Sequence, residues 1–166
     1  YRIKGDMTWQ QDRFRRHISA ACITRKPLII HTREAAADTI RVLQEEGAKS
    51  VGGVMHCFTE SWETARSALD LGFYISFSGI VTFRNAELLR AVAAKVPADR
   101  LLIETDAPYL APAPHRGKIN EPAFVRYVAE ELAKLRGVSF DQLARSTSQN
   151  FFTLFQNAHP VGSNLT

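Results

Sequence analysis

Three short apolar runs, each ending in residues able to hold a metal ion, constrain this chain more than any other feature. Pro27-Leu28-Ile29-Ile30 leads into His31, Val51-Gly52-Gly53-Val54-Met55 into His56, and Leu101-Leu102-Ile103 into Glu104-Thr105-Asp106. The runs are rich in β-branched residues and each is followed by a stretch with helical spacing. Such runs read as buried strands of a parallel sheet. Polar residues at the C-terminal ends of parallel strands occupy the place where α/β barrels keep their active sites. Two histidines and a carboxylate at three such ends form a divalent-metal hypothesis on residue chemistry alone.

The spacing around these runs completes an alternating pattern. Helices are predicted over Trp9–Thr24, Arg33–Glu46 with Thr32 as cap, Thr59 or Ser61 to Leu71, Asn85–Lys95, and from the Asn120 cap through Pro122 to Arg136. Strands are predicted over Leu28–His31, Val51–Phe58, Phe73–Ser78 and Leu101–Thr105, with Tyr74, Ser76 and Ser78 sharing a side of the third. Gly47, Gly72 and Gly137 stand where helices end. Ser139-Phe140-Asp141-Gln142 reads as the start of a short helix, and Thr147 or Ser148 as the cap of a last one. Phe151, Phe152, Leu154 and Phe155 read as core; residues 1–8 read as loop and His159–Thr166 as tail. Strand and helix alternating at this pace imply right-handed crossovers and a parallel sheet. Residues 1–166 read as one domain without an internal linker.

Asp106–Asn120 breaks the pattern. This stretch carries Pro108, Pro112 and Pro114 and the run His115-Arg116-Gly117-Lys118, with neither helical nor strand period. A loop this long inside a compact domain is usually functional.

Composition narrows the partners. A net charge of +4 favours an anionic partner such as nucleic acid, or serves solubility. No apolar run approaches the roughly 18–20 residues that span a bilayer, and Tyr1–Asp6 lacks the apolar segment of a signal peptide. Two cysteines, Cys22 and Cys57, sit in apolar surroundings and fit free thiols in a reducing cytoplasm.

At His31-Thr32-Arg33-Glu34-Ala35, Met55-His56-Cys57-Phe58-Thr59 and Glu104-Thr105-Asp106-Ala107-Pro108-Tyr109-Leu110 the chain resembles the TatD family of metal-dependent hydrolases. Pro114-His115-Arg116-Gly117-Lys118, Asn120-Glu121-Pro122, Phe77-Ser78-Gly79 and Asn150-Phe151 extend the resemblance over nearly the whole length. The resemblance implies a (β/α) barrel of the TIM/amidohydrolase type and phosphodiester hydrolysis, typically by a 3′→5′ DNA exonuclease. It also implies divalent ions, Mg²⁺, Mn²⁺ or Zn²⁺, expected to number two in a complete site. The family's H-x-H motif and the Glu of its fourth strand are absent from this sequence. Tyr1-Arg2 resembles the segment just after that Glu-bearing strand. The chain is therefore expected to cover strands five to eight of the barrel. Four strands alone would leave two open edges, so it is expected to pair with itself or with an N-terminal part.

Within this frame His31, His56 and Asp106 are the expected ligands. Asp106 is also the expected acid/base, taking a proton from a metal-activated water. Glu104 is either a further ligand or a structural partner. Arg33, His115 and Arg116 are candidates for holding substrate phosphate, with surface pairing the alternative for Arg33. Cys57 reads as a buried, inert thiol, and Lys118, His17 and His159 as non-functional. DNA, and RNA with it, is the expected substrate; a non-nucleic-acid ester or amide, or an inactive fragment, is the alternative.

Overall fold

The computed structural model describes residues 6–159. Tyr1-Arg2, which resembles the segment just after a Glu-bearing strand, lies outside them, as do parts of the expected leading loop and tail. The described residues follow the expected alternation. Helices α1 (Thr8–Thr24), α2 (Ala36–Glu45), α3 (Trp62–Asp70), α4 (Glu87–Lys95), α5 (Val125–Arg136) and α6 (Phe140–Leu154) surround strands β1 (Leu28–Ile30), β2 (Gly53–Met55), β3 (Phe73–Phe77) and β4 (Leu101–Ile103). The sheet is wholly parallel in the order β1-β2-β3-β4, each strand beside the next in sequence. No helix among the described residues is long and apolar enough to cross a membrane.

The register ends β1 and β2 level with each other, and β3 and β4 level with each other two residues further on. Ile30 pairs with Met55, Met55 with Ile75, and Phe77 with Ile103. His31, His56 and Glu104 are each the first residue beyond a strand, one place past the expected apolar runs. Backbone bonds continue across this boundary: His56 N donates to Ile30 O at 2.8 Å and Glu104 N to Phe77 O at 3.0 Å.

Side chains alternate along a strand, so the sheet presents two different faces. Leu28, Ile30, Met55, Phe73, Ile75, Phe77 and Leu101 bury against the helices, in a core that includes Ile18, Leu43 and Leu132. Full burial of Phe73, Phe77 or Ile75 contributes about 1.5–3 kcal/mol each by removal of apolar surface from water. The other face carries Val54, Tyr74 and Leu102, packed against Leu154 and Phe155 at the end of α6. Ile29, on the same face of the edge strand, is 65% exposed. Phe151 is 42% exposed, so only part of the expected aromatic cluster is core.

Three expected caps do not cap. Thr32 is buried and its hydroxyl lies 3.1 Å from that of Thr39, so α2 starts later, at Ala36. Asn85 is displaced by Ala86 as the cap of α4, without a side-chain bond. Asn120 bonds within its own loop, and α5 opens only at Val125 after a 3-10 turn over Pro122–Phe124. Ser61 and Ser139 do cap, accepting from Thr64 N and Gln142 N. The two helices expected after Ser139 are one, α6. Its stretch holds neither Gly nor Pro, and the Thr147 hydroxyl turns back to Leu143 O at 3.0 Å instead of opening a new helix.

Gly53 shows how closely β1 and β2 approach. A Cβ there would lie 2.2 Å from Leu28 O and 2.8 Å from a Phe73 ring carbon. Gly53→Ala is expected to lower the unfolding free energy of the intact protein by about 1–3 kcal/mol, the range for forced overpacking. Urea denaturation measures this, and unchanged stability would show that the strands separate at no cost.

Candidate metal centre

The ends of β2 and β4 bring a histidine and two carboxylates together. One ligand atom from each of His56, Glu104 and Asp106 lies within 4.8 Å of the others. His56 Nδ1 is 2.7 Å from Glu104 Oε1, and Nε2 is 3.5 Å from Asp106 Oδ1. The His31 ring stands beside them, its centroid 5.8 Å from that of His56.

β2 and β4 are not neighbours; β3 lies between them. The contact from His56 to Glu104 passes over the end of β3, at Ser76 and at Ser78 just beyond the strand, both buried. The small side chains leave room for a carboxylate and supply hydroxyls. By alternation His31, His56, Ser76 and Glu104 share the face of Ile29, Val54, Tyr74 and Leu102. Asp106 reaches the group by a different route. It lies beyond the strand and has a φ of +57°, in the left-handed region that Asp tolerates better than most residues. Strand alternation therefore does not explain its place beside Glu104; the turn does. Cys57, directly after His56, also has a positive φ, of 47°, and its N–H donates to Glu104 Oε2 at 3.0 Å. Two non-glycine residues in left-handed conformation at one site are held there by their surroundings, as strained residues at functional sites are.

Glu104 is the most enclosed member. Burial pushes its pKa up, but the His56 imidazole, the Ser76 hydroxyl and the Cys57 N–H together overcome this and hold it below the usual carboxylate range. His56 moves the opposite way: the Glu104 carboxylate raises its pKa against the effect of burial, with further help from the charge of Asp106. Burial pushes the Cys57 thiol up to about 11, despite a 3.3 Å contact with the Ser78 hydroxyl. Cys57 is thus the unreactive thiol expected from its surroundings.

The donor set fits a divalent cation. Glu104 Oε1 is buried and receives no directed hydrogen bond, although His56 Nδ1 is close. A buried anionic oxygen with spare acceptor capacity, beside an imidazole that faces two carboxylates, is an arrangement that a cation completes. Imidazole with carboxylate suits Zn²⁺ and Mn²⁺ better than Mg²⁺.

The remaining sequence candidates are Arg33, His115 and Arg116. Arg33 is exposed, two residues past His31. His115 stacks on Phe124 at 4.1 Å and meets the edge of Tyr127 at 4.8 Å, and its Nε2 is buried. Arg116 lies over the Phe83 ring, 3.6 Å from its centroid, and donates to Ala111 O at 3.0 Å. Both side chains hold the long loop against its surroundings, and His115 is not among the convergent three. The contributions of Ser76, Ser78 and the Cys57 amide escape a reading by residue type. Only the shared parity of Tyr74, Ser76 and Ser78 hints at the first two.

Comparison with known proteins identifies the family. A family model described as TatD related DNase matches residues 1–156. YcfH of Escherichia coli K12, named an uncharacterized metal-dependent hydrolase, is 61% identical over 146 residues, which make up 88% of this chain and 55% of that protein. A protein of Edwardsiella piscicida named 3′-5′ ssDNA/RNA exonuclease TatD is 36% identical over 154 residues, 90% of this chain and 59% of that protein. The crystal structure of YjjV, a TatD homologue from E. coli K12, matches with a TM-score of 0.83 at 28% identity, over 94% of this chain and 61% of that one. The chain thus spans little more than half the length of the curated relatives it matches.

The two pKa directions describe one ion pair in the metal-free protein. A raised His56 adds stability at pH below its unfolded value of about 6.5, and that stability is lost as pH rises through the raised folded value. A lowered Glu104 adds stability above its unfolded value, lost as pH falls through the lowered one. The His56 imidazole, followed by NMR in metal-free protein, is expected to titrate above the ordinary histidine range, and Glu104→Gln to bring it down. A titration unmoved by Glu104→Gln would show that the contact carries no charge.

Proposed function

This chain belongs to the TatD family of metal-dependent hydrolases, and from that premise we propose that it forms part of a divalent-metal phosphodiesterase, a 3′→5′ exodeoxyribonuclease that also accepts RNA. The observation that carries the reading is the convergence of His56, Glu104 and Asp106 within 4.8 Å, with His31 beside them. Further support comes from the relative named as a single-stranded DNA and RNA exonuclease, and from the net charge of +4, which favours a polyanion.

His31, His56 and Asp106 hold the cation in this reading, Mg²⁺, Mn²⁺ or Zn²⁺, with two ions in the complete site. Glu104 is assigned the orienting role. Its Oε2 is taken by the Cys57 amide, and its Oε1 faces His56 Nδ1, which turns Nε2 toward Asp106. A carboxylate behind a ligating imidazole fixes its tautomer and raises its basicity. When bound, the cation supplies Lewis acidity, polarising the phosphoryl oxygen and acidifying water. Asp106 is half-exposed beside His56 Nε2, placed to take the proton of the attacking water and return it to the leaving oxygen. Arg33 is the candidate for the substrate phosphate, since its planar fork matches phosphate oxygens. His115 and Arg116, in the loop, are the further candidates for substrate phosphate and also shape that loop.

The same reading takes residues 1–166 as the C-terminal portion of a single (β/α)₈ barrel. Coverage of 55% of the E. coli relative and the exposed Ile29 on the outermost strand support it. The missing barrel strands would then cover that face.

The test uses the intact protein, stripped of metal and reloaded with Mg²⁺ or Mn²⁺, on 5′-labelled single-stranded DNA. A ladder shortening from the 3′ end is expected. Asp106→Asn and His56→Ala are each expected to lower the rate by ~10²–10⁴-fold, the usual weight of an acid/base group, while far-UV circular dichroism is unchanged. Absence of cleavage by the metal-loaded wild type would overturn the nuclease reading, and hydrolysis of a carboxylic ester or amide instead would assign the other branch of the superfamily.

A further inference from the structure

We propose that Asn120 is a positioning residue that holds Asp106 in its working conformation, an inference that rests on the metal-centre reading above. Asn120 is only 3% exposed. Its Nδ2 donates to Thr105 O at 2.8 Å and to Tyr109 O at 2.5 Å. Its Oδ1 accepts from Glu121 N at 2.9 Å, and its own N–H donates to Pro108 O at 3.1 Å. Both amide protons face carbonyl oxygens, so the reverse orientation of the amide is excluded by the network itself.

These bonds bracket Asp106. Thr105 precedes it, joining it to Glu104. Tyr109 closes the turn beyond it, its N–H donating to Asp106 O at 3.0 Å. One buried amide therefore clamps the chain on both sides of a residue whose φ is +57°. A left-handed, non-glycine conformation persists only where its surroundings over-determine it. The Thr105 hydroxyl also spans the turn locally, accepting from Ala107 N at 3.3 Å, and Asn120 is the side chain that ties both flanks to a point beyond the turn.

The far end of the loop is held separately. Ala113 N donates to the Thr82 hydroxyl at 2.8 Å. At Gly79 an added Cβ would lie 2.0 Å from Leu110 O. The loop is thus fastened at several points, and the Asn120 clamp is the one that bears on Asp106. Without it, Thr105 O and Tyr109 O lose their donor, and the Asp106 carboxylate loses its fixed distance from His56 Nε2.

The test compares Asn120→Ala and Asn120→Asp with Thr82→Val in the intact protein. Asn120→Asp keeps the shape and the acceptor toward Glu121 but turns an oxygen to the two carbonyls. The readouts are the Kd for Mn²⁺ by calorimetry, kcat and KM on single-stranded DNA, and circular dichroism to confirm folding at the assay temperature. Both Asn120 variants are expected to raise the Mn²⁺ Kd by ~10–100-fold, the range for groups that orient metal ligands, and to lower kcat with little change in KM. Thr82→Val is expected to leave the Mn²⁺ Kd within about twofold of wild type, the local effect expected of a distant anchor.

A folded Asn120→Ala protein with wild-type Mn²⁺ affinity and kcat would overturn the proposal. So would Thr82→Val raising the Kd as much as Asn120→Ala, since that marks general damage to the loop. The wild type offers a measurement independent of variants: the Asn120 side-chain amide protons are expected to exchange slowly by NMR and to shift on Zn²⁺ binding, and rapid exchange overturns the clamp. If Asp106→Asn leaves the Mn²⁺ Kd unchanged, it is the metal-centre reading that fails, which this comparison separates from failure of the clamp alone.

Discussion

Parallel register is the constraint on which the candidate site depends. Ile30 is level with Met55, and Phe77 with Ile103 two residues further on, a stagger that sets His56 and Glu104 within reach of each other across β3. Because side chains alternate, that same register fixes which residues share a face. A slip of one residue at β2 would turn His56 toward the helices and Cys57 toward Glu104. The packing against slippage lies on the far face, where Met55, Phe73, Ile75 and Phe77 are all but fully buried. The apolar core thus secures the polar site, although no residue belongs to both.

The carboxylate of Glu104 shows how such a site tolerates burial. An enclosed anion without partners carries a large desolvation cost. Here the Cys57 amide, the Ser76 hydroxyl and the His56 imidazole offset it, and the net effect keeps the carboxylate ionised. The reciprocal shift at His56 arises from the same contact. Serine at position 76, and at 78 just beyond the strand, rather than the bulky residues that fill the rest of β3, makes the crossing from β2 to β4 possible. This role belongs to size as much as to hydrogen bonding.

The long loop after β4 is a built structure. Asn120 binds two carbonyls on either side of Asp106, Arg116 covers Phe83, and His115 stacks on Phe124 with Tyr127 edge-on to it. Side chains of these types invite a reading as phosphate ligands when met in sequence. Their contacts show a second use for the same chemistry: guanidinium, imidazole and amide groups satisfy backbone carbonyls and cover aromatic rings where no regular element supplies partners.

The alternation of elements, the parallel sheet and the strand-end positions of His31, His56 and Glu104 were determined by the sequence itself. They arise from local physics: β-branched apolar runs, helical spacing and glycine stops act over a few residues and survive as pattern. Only the tertiary structure decided the rest. The caps moved from Thr32 and Asn120 because each side chain had a different partner, visible only once the chain had folded, while α4 simply starts one residue past Asn85. The joining of two expected helices into α6 turned on one threonine bonding backward. Asp106 entered the site through a left-handed turn, which strand parity does not encode, and Glu104 met His56 across an intervening strand. Contacts between residues about fifty positions apart depend on register and on the size of what lies between them, and neither is written in any single stretch of sequence.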